Sequence, residues 1–209
     1  MRATAKATPR TPARRAPGRP RCEKACEAVR TAALELLDEA GWGGLTIEGV
    51  AERAGVGKAT IYRWWTNKAA LVVDAFFTRV SPQLEFPDTG TLRGDLVGQL
   101  RDVVREMLGP HGRLLTAIVS ALPTDPALGE AFRARWVGRR RAEGMQVFDR
   151  AAARGELPAD ADRELLFDLL YGPLYFRLIV QYRPLREPRL AERLVDAVLY
   201  GASPRGRST

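Results

Sequence analysis

The stretch TIEGVAERAGVGKATIYRWWT, residues 46–66, determines how the rest of the chain is interpreted. Thr46 is a residue type favoured at helix N-caps, so the first helix is predicted to begin after it. Gly55 is predicted to end that helix, because glycine accepts the positive φ of a tight turn. A second helix is predicted over about residues 58–65. The stretch is therefore interpreted as a helix-turn-helix, over about residues 46–65.

Several positions inside this stretch restrict the size and shape of the side chain. Ala51 must be small, because the second helix of a helix-turn-helix crosses over it. Val56, Ile61 and Trp64 occupy the positions at which the two helices pack against each other. Small, glycine and apolar constraints in this combination are typical of a helix-turn-helix, whose second helix enters the major groove of DNA.

The segment before the motif is strongly basic. Residues 1–30 contain nine Lys or Arg and two Glu, which accounts for +7 of the net charge of +8. Residues 1–21 are rich in Pro, Arg, Ala and Thr and have no hydrophobic period, so they are predicted to form a disordered basic arm. A basic arm favours a polyanionic partner such as nucleic acid, and the alternative is a solvated tail. Residues 17–21, PGRPR, are of the type that lies in a minor groove, and the alternative is a linker.

The apolar positions outside the arm follow a helical period throughout, and no strand or repeat is predicted. The predicted fold class is all-α, with a three-helix helix-turn-helix domain at residues 22–82, a helical domain at residues 83–203 and a disordered tail at residues 204–209. Glycine, proline and N-cap residues set the predicted helix ends. Helices are predicted over about residues 23–40, 46–54, 58–65, 67–80, 91–108, 111–122, 126–154, 162–181 and 188–201.

No catalytic or metal-binding set emerges from the sequence. His111 is the only histidine, and it has no evident nucleophile or carboxylate partner. Cys22 and Cys26 are spaced for one face of a helix, where a disulfide is geometrically poor, and two thiols are too few for a metal site. Both cysteines are interpreted as structural or incidental, with a redox sensor as the alternative. No enzyme activity, metal or cofactor is expected.

The location of the protein is predicted from what the chain does not contain. No apolar run approaches the roughly 18 residues that are needed to span a membrane. The N-terminus has no apolar core of the kind found in secretory signals. We therefore expect a cytoplasmic protein without a membrane partner.

Residues 24–80 closely resemble the DNA-binding domain of the TetR family of bacterial transcriptional regulators. The resemblance implies that residues 83–203 form a helical ligand-binding and dimerisation domain, of a kind that varies widely within the family. Two positions depart from the family pattern. Trp64 stands where a histidine is usual, and the residue after Tyr62 is Arg63. The residues that carry the resemblance are Gly41, Trp42, Thr46, Val50, Ala51, Ala54, Gly55, Val56, Thr60, Ile61, Tyr62, Trp65 and Lys68.

The resemblance implies DNA contacts from the second helix of the motif and its surroundings. Arg63 can donate two hydrogen bonds to guanine, whereas Lys58 suits a base or a phosphate. Donors on Tyr62 and Trp64 suit phosphate, and for Trp64 core packing is the alternative. The general alternative is an ordinary solvated face. The complete predicted set is Thr46, Lys58, Ala59, Thr60, Tyr62, Arg63, Trp64 and Lys68, in which Ala59 permits close approach and Thr46 and Lys68 lie at helix N-termini that favour phosphate.

A ligand pocket is expected among the large apolar side chains of residues 83–203. Aromatic residues and methionine at helical spacing also form ordinary cores, so core packing is the alternative for each of them. The candidates are Met107, Phe132, Trp136, Phe148, Tyr171 and Tyr175.

The sequence thus predicts a ligand-responsive, homodimeric transcriptional repressor that binds a palindromic DNA operator. Helices 162–181 and 188–201 are expected to pair with their copies in the dimer, and the small-molecule effector is unknown. One alternative is a helical small-molecule-binding protein whose basic tail only confers solubility. Another is a DNA-binding protein that does not respond to any ligand.

Overall fold

The computed structural model describes residues 19–201, with side chains from residue 23 onward. No strand occurs within these residues, and the predicted all-α class is confirmed. A 3-10 turn, Ser81–Gln83, follows α4, and a π-helical turn, Arg133–Val137, joins α7 to α8. The ten α-helices are α1 Arg19–Gly44, α2 Ile47–Ala54, α3 Lys58–Tyr62, α4 Lys68–Val80, α5 Leu92–Leu108, α6 Pro110–Ala121, α7 Pro126–Phe132, α8 Gly138–Ala153, α9 Arg163–Val180 and α10 Leu190–Tyr200.

The caps of the helix-turn-helix are the predicted ones. The Thr46 side chain accepts a hydrogen bond of 3.0 Å from the Gly49 backbone N–H, which satisfies a donor that α2 itself cannot satisfy. Gly55 adopts a φ of 65° and ends α2 in the left-handed conformation. The Val56 N–H then returns to the Ala51 carbonyl at 3.0 Å. These local bonds hold α2 and α3 in the geometry of the motif.

The start of α1 differs from the prediction. The helix begins at Arg19 rather than near Glu23, so residues 19–21, which were assigned to a disordered arm, are helical. The rest of the predicted arm, residues 1–18, lies outside the described part of the chain. Gly41, with a φ of 66°, breaks the helical conformation at the predicted point. The helix extends further than its apolar pattern predicts, because the apolar stripe marks only the part that packs on other helices.

The N-terminal unit consists of α1 to α4 and buries one side of each helix. Val29 and Leu37 of α1 face Val50 of α2 and Ile61 of α3, and each is at most 1% exposed. Full burial of side chains of this size stabilises the fold by about 1.5–3 kcal/mol each. The burial of Ile61 fixes the rotation of the short helix α3, so the opposite side of α3 faces solvent.

The remaining helices, α5 to α10, form the body of the protein. The predicted helix over residues 126–154 is continuous, but the π-helical turn interrupts its α geometry. Helix α9 continues through Pro173. The connector after α9 is fastened by Arg177, whose Nη1 donates to the Pro184 carbonyl at 3.0 Å and to the Glu187 carboxylate at 2.5 Å. No helix within residues 19–201 has the length and apolar character that crossing a membrane requires.

Helix α4 joins the N-terminal unit to the body through Asp74. This carboxylate is buried and accepts hydrogen bonds from Arg30 Nε of α1 at 2.8 Å and from Trp65 Nε1 at 3.0 Å. It also accepts a hydrogen bond from Arg135 in the π-helical turn of the body. Further bonds between the two units are Trp42 Nε1 to Asp125 at 3.1 Å and the paired bonds of Arg113 to Asp38 at 2.9 and 2.8 Å.

Candidate DNA-binding surface and ligand cavity

Helix α3 and the residues that follow it present a continuous exposed surface. Ile61 is fully buried in the hydrophobic core, and this burial directs its neighbours outward. The Tyr62 side chain is 53% exposed and that of Trp64 is 51% exposed, which is unusual for such large rings. Lys58, Ala59 and Arg63 are exposed as well, and Thr60 is half-buried.

Two adjacent tryptophans occupy opposite environments. The packing interpretation of Trp64 is wrong, because its ring lies at the surface. Trp65 is 7% exposed instead, and its indole N–H donates to Asp74. The Arg63 guanidinium lies 5.9 Å from the centroid of the Trp64 ring, within the range of a cation–π contact. The exposed indole therefore supports the guanidinium at the surface.

Lys58 forms an ion pair at the start of α3. Its Nζ lies 3.0 Å from Glu48 Oε1 of α2. The hydrogen bond raises the pKa of Lys58 and lowers the pKa of the Glu48 carboxyl. Because both side chains are more than half exposed, the pair is weak in water, and a DNA phosphate can replace the carboxylate.

Thr46 and Lys68 have structural bonds of their own. The Thr46 hydroxyl oxygen accepts the capping bond, and its proton is still able to donate. Lys68 Nζ donates to the carbonyls of Trp42 at 2.9 Å and Leu45 at 3.1 Å, and it lies 4.1 Å from the centroid of the Trp42 ring. Burial lowers the pKa of Lys68. This ammonium group therefore fastens the turn before α2, and one of its three N–H donors remains for another partner.

A cavity of about 410 Å³ lies between α4 and the helices of the body. Its walls come from α4, α5, α6, α7, α8, α9 and the π-helical turn. Five of the six predicted pocket residues line it, namely Met107, Phe132, Trp136, Tyr171 and Tyr175. Phe148 is 1% exposed but is not among the lining residues, and it lies in the hydrophobic core.

Trp136 is the central aromatic residue of the cavity wall. Its ring centroid lies 4.9 Å from that of Phe76 and 6.3 Å from that of Phe132. Its indole N–H donates to the Tyr175 hydroxyl at 3.1 Å. The bond gives the buried N–H a partner and fixes the orientation of the indole toward α9.

The cavity also has charged residues that the sequence analysis did not select. Glu106 and His111 lie 2.5 Å apart and form one pair. Arg141 donates to Asp168 at 2.6 Å, and all four of these residues line the cavity. Arg140 lines it too, four residues after Trp136 on the buried side of the helix. Arg140 occupies a core position of the helical pattern. A polar residue at such a position is the signal by which the sequence could have pointed to it.

Helix α9 has an apolar face that stays about half exposed within the part of the chain that the structure describes. Leu165, Leu169, Phe176 and Val180 are each about half exposed. Their spacing of four, seven and four residues places them on one side of the helix, and we call them the α9 stripe. Exposed apolar patches of this kind mark interaction surfaces in soluble proteins.

Comparison with known proteins agrees with this architecture. The family described as "Bacterial regulatory proteins, tetR family" matches residues 29–75. The family described as "Tetracyclin repressor-like, C-terminal domain" matches residues 86–198. The chain is 37% identical over 163 residues to the HTH-type transcriptional regulator YdeS of Bacillus subtilis, a match that covers 78% of this chain and 82% of YdeS.

Two further relatives extend over more of the chain. The DNA-binding transcriptional repressor TetR of Mycobacteroides abscessus is 34% identical over 185 residues, which cover 86% of this chain and 94% of that repressor. The crystal structure of the TetR family transcription regulator SCO0332 is 37% identical, with a TM-score of 0.74, and covers 87% of this chain and 100% of its own. Fold and site together define a helix-turn-helix regulator of transcription that binds DNA. The chain belongs to the TetR family of bacterial regulators.

Proposed function

We propose that the protein is a homodimeric repressor that binds a palindromic operator and releases it when a small molecule occupies the cavity. The α9 stripe carries the proposal, because half-exposed leucine, phenylalanine and valine side chains on one helix face favour burial against a second copy. Such a regulator needs no catalytic group and acts in the cytoplasm. Its DNA-binding unit comprises residues 22–82, and its ligand-binding and dimerisation unit comprises residues 83–203.

In the proposed dimer, α9 and α10 of one chain pack against α9 and α10 of the other as a four-helix arrangement. The two copies of α3 then enter successive major grooves, which lie about 34 Å apart on one face of the duplex. An inverted repeat of two half-sites matches the two-fold symmetry of such a dimer.

The proposed DNA contacts divide into base readout and backbone contacts. Arg63 donates to a guanine edge, and Ala59 lets α3 approach the groove closely. Phosphates or neighbouring base edges are bound by Lys58, Thr60 and Tyr62. Lys58 leaves its ion pair with Glu48 to make this contact. The remaining phosphate donors are the Thr46 hydroxyl, the Trp64 indole N–H and the third N–H of Lys68.

A ligand in the cavity contacts α4 directly, because Phe76 and Val80 of α4 line it. Asp74, two residues before Phe76, accepts a hydrogen bond from Trp65, which lies three residues after the end of α3. A ligand that fits one position of α4 better than another therefore shifts the spacing of the two copies of α3.

The dimer is tested by light scattering at micromolar concentration. The wild type is expected at twice the 23.1 kDa of one chain. Leu169→Lys places a charge in the α9 stripe and is expected to give monomers, because a buried unpaired charge is costly. Leu108→Lys is the matched control, since Leu108 is 42% exposed on α5, away from the stripe. A monomeric wild type, or two variants with equal effects, would refute the proposed interface.

The operator is tested by selection of bound duplexes from a random DNA pool. Enriched sequences are expected to contain two inverted half-sites, with centres about one helical turn or a multiple of it apart. An enriched single half-site would contradict the dimeric mode of binding. Absence of any enrichment would favour the alternative of a small-molecule-binding protein with a solubilising tail.

A further inference from the structure

Three buried polar side chains from three helices meet at one wall of the cavity. Gln99 of α5 is fully buried, Arg140 of α8 is 6% exposed and Tyr171 of α9 is 9% exposed. The Tyr171 hydroxyl is close enough to both Gln99 and Arg140 for their polar groups to stabilise its ionised form. Arg140 and Tyr171 line the cavity, whereas Gln99 is not among the lining residues.

These side chains have polar atoms without hydrogen-bond partners among the described residues. The atoms are Arg140 Nη2, Tyr171 Oη and both amide atoms of Gln99. Arg140 Nη1 is bonded to Glu143 at 2.6 Å, so only one end of the guanidinium is satisfied. Buried polar groups in proteins are almost always paired, because leaving them unpaired costs free energy. Two of these atoms, Arg140 Nη2 and Tyr171 Oη, belong to residues that line the cavity, and they favour a ligand that pairs with them.

The unpaired groups of the two lining residues can donate hydrogen bonds, and the charge beside them is positive. Burial raises the pKa of Tyr171 above its ordinary value of 10.0, so its hydroxyl stays protonated and able to donate. Arg140 shares its carboxylate partner, Glu143, with Arg139, which donates to it at 2.9 Å. Two guanidinium groups thus face one carboxylate. An anionic acceptor is the chemical complement of this arrangement.

The carboxylates that line the cavity do not oppose an anion strongly. Glu106 is bonded to His111, and Asp168 is bonded to Arg141. Arg140 Nη2 is therefore the unsatisfied charged donor at this wall. The other walls are apolar and largely aromatic, with the rings of Phe76, Phe132, Trp136 and Phe167. A volume of about 410 Å³ lies in the range of small-molecule sites.

We infer that the cavity binds an aromatic carboxylic acid, whose rings pack among the aromatic side chains and whose carboxylate accepts hydrogen bonds from Arg140 Nη2 and Tyr171 Oη. The inference rests on the proposed ligand-binding role of the cavity and names the chemical class of its ligand. The Gln99 amide lies near the Tyr171 hydroxyl, behind the cavity wall.

The test is calorimetric titration of the full chain, without DNA, with 2-naphthoate, biphenyl-4-carboxylate and the two corresponding uncharged amides. Each acid is expected to bind the wild type at least about tenfold more tightly than its amide, because a hydrogen bond to a charged group contributes more than a neutral one. Tyr171→Phe and Arg140→Met are each expected to weaken the acids about tenfold and to leave the amides unchanged.

The variants include one that keeps the packing and one matched control. Tyr171→Phe retains the ring, which stacks on Phe167 with centroids 4.4 Å apart, so this variant is expected to fold. Arg139→Met removes a neighbouring guanidinium that bonds the same Glu143 but does not line the cavity. It is expected to leave the binding of the acids unchanged.

Equal affinity for acids and amides would overturn the inference, as would acid binding that survives both cavity variants. Failure of all four compounds to bind at millimolar concentration would overturn it as well. Operator binding by the same preparations, measured in parallel without ligand, separates this result from the proposed function. If the protein binds its operator and a neutral compound releases it, the proposed regulatory function stands and the inference of a carboxylic acid ligand is refuted.

Discussion

Replacement of Asp74 by alanine is expected to destabilise the protein strongly, although it removes only one small side chain. The carboxylate is 11% exposed and accepts hydrogen bonds from three donors on different segments. Of these donors, Trp65 is 7% exposed, whereas the side chains of Arg30 and Arg135 are 27% and 48% exposed. Asp74→Ala therefore leaves the buried indole N–H of Trp65 without a partner, whereas the guanidinium groups of Arg30 and Arg135 can still be hydrated.

The size of the effect follows from these exposures. Removal of one partner from a fully buried ion pair costs about 3–5 kcal/mol. Because the two cations of Asp74 regain hydration, their share is smaller, and the orphaned indole N–H of Trp65 costs about 1–3 kcal/mol. We expect a loss of about 2–3 kcal/mol in the free energy of unfolding. For a chain of this length that corresponds to a decrease of roughly 5–10 °C in Tm.

The assay is thermal and denaturant unfolding at a fixed protein concentration, which matters because dimerisation also contributes to stability. Asp149→Ala is the matched control, since Asp149 is 62% exposed in its ion pair with Arg163. An exposed pair contributes about 0–1 kcal/mol. Asp74→Asn retains an acceptor for Trp65, so its loss of stability is expected to lie between those of Asp74→Ala and Asp149→Ala. If Asp74→Ala lost no more stability than Asp149→Ala, the assignment of Asp74 as the joint between the units would be wrong.

Three other changes test the DNA-binding surface and the α9–α10 connector. Arg63→Ala is expected to alter base preference as well as affinity, and a uniform loss across operator variants would assign Arg63 to phosphate. Deletion of residues 1–18, which removes five cations, is expected to weaken binding and flatten the dependence of log K on log salt, and an unchanged slope would exclude contact of these residues with DNA. The hydrogen bond from Arg177 lowers the pKa of the Glu187 carboxyl below its ordinary value of 4.5. The stability that this pair contributes is therefore fully present above pH 4.5 and is lost as the pH falls through the lowered pKa. Glu187→Gln is therefore expected to be less stable than the wild type at neutral pH and to lose less stability between pH 5 and pH 3, and parallel acid unfolding curves would contradict this.

The parts of the fold that depend on local chemistry were predictable from the sequence. The predicted N-cap Thr46 accepts its bond from the backbone N–H three residues later, and Gly55 has the expected positive φ. The π-helical turn at residues 133–137 was not predicted, because no proline or glycine lies inside it. Its position is set by contacts between α4, α7 and α8, which a single sequence does not reveal.

The surface side chains were predictable as a group, but not one by one. Trp64 and Trp65 are the same residue type, and helical spacing alone cannot determine which of them turns inward. In the structure Trp65 is the one that turns inward, and its indole N–H donates to Asp74, nine residues later. Lys68 is similar, because its two carbonyl partners lie 26 and 23 residues earlier in the chain. Contacts at such separations leave no periodic signal.

A readable signal did exist for the polar wall of the cavity. Gln99 lies in the apolar stripe of α5 between Leu96 and Val103, where a polar residue is out of place. Arg140 interrupts the buried side of α8 in the same way. Buried polar residues at core positions are either paired or functional, so such interruptions mark positions to examine for a functional role.

The placement of Asp74 and Phe76 on one helix connects the cavity to the DNA-binding surface. Phe76 contacts Trp136 at the cavity wall, and Asp74 bonds both Trp65 and Arg135. Because Phe76 and Asp74 lie two residues apart on one helix of 13 residues, a displacement of α4 at Phe76 also displaces Asp74. Packed cores shift between discrete arrangements rather than deforming continuously. In the ligand response proposed above, a ligand that favours one position of α4 therefore acts on Trp65 through its hydrogen bond to Asp74.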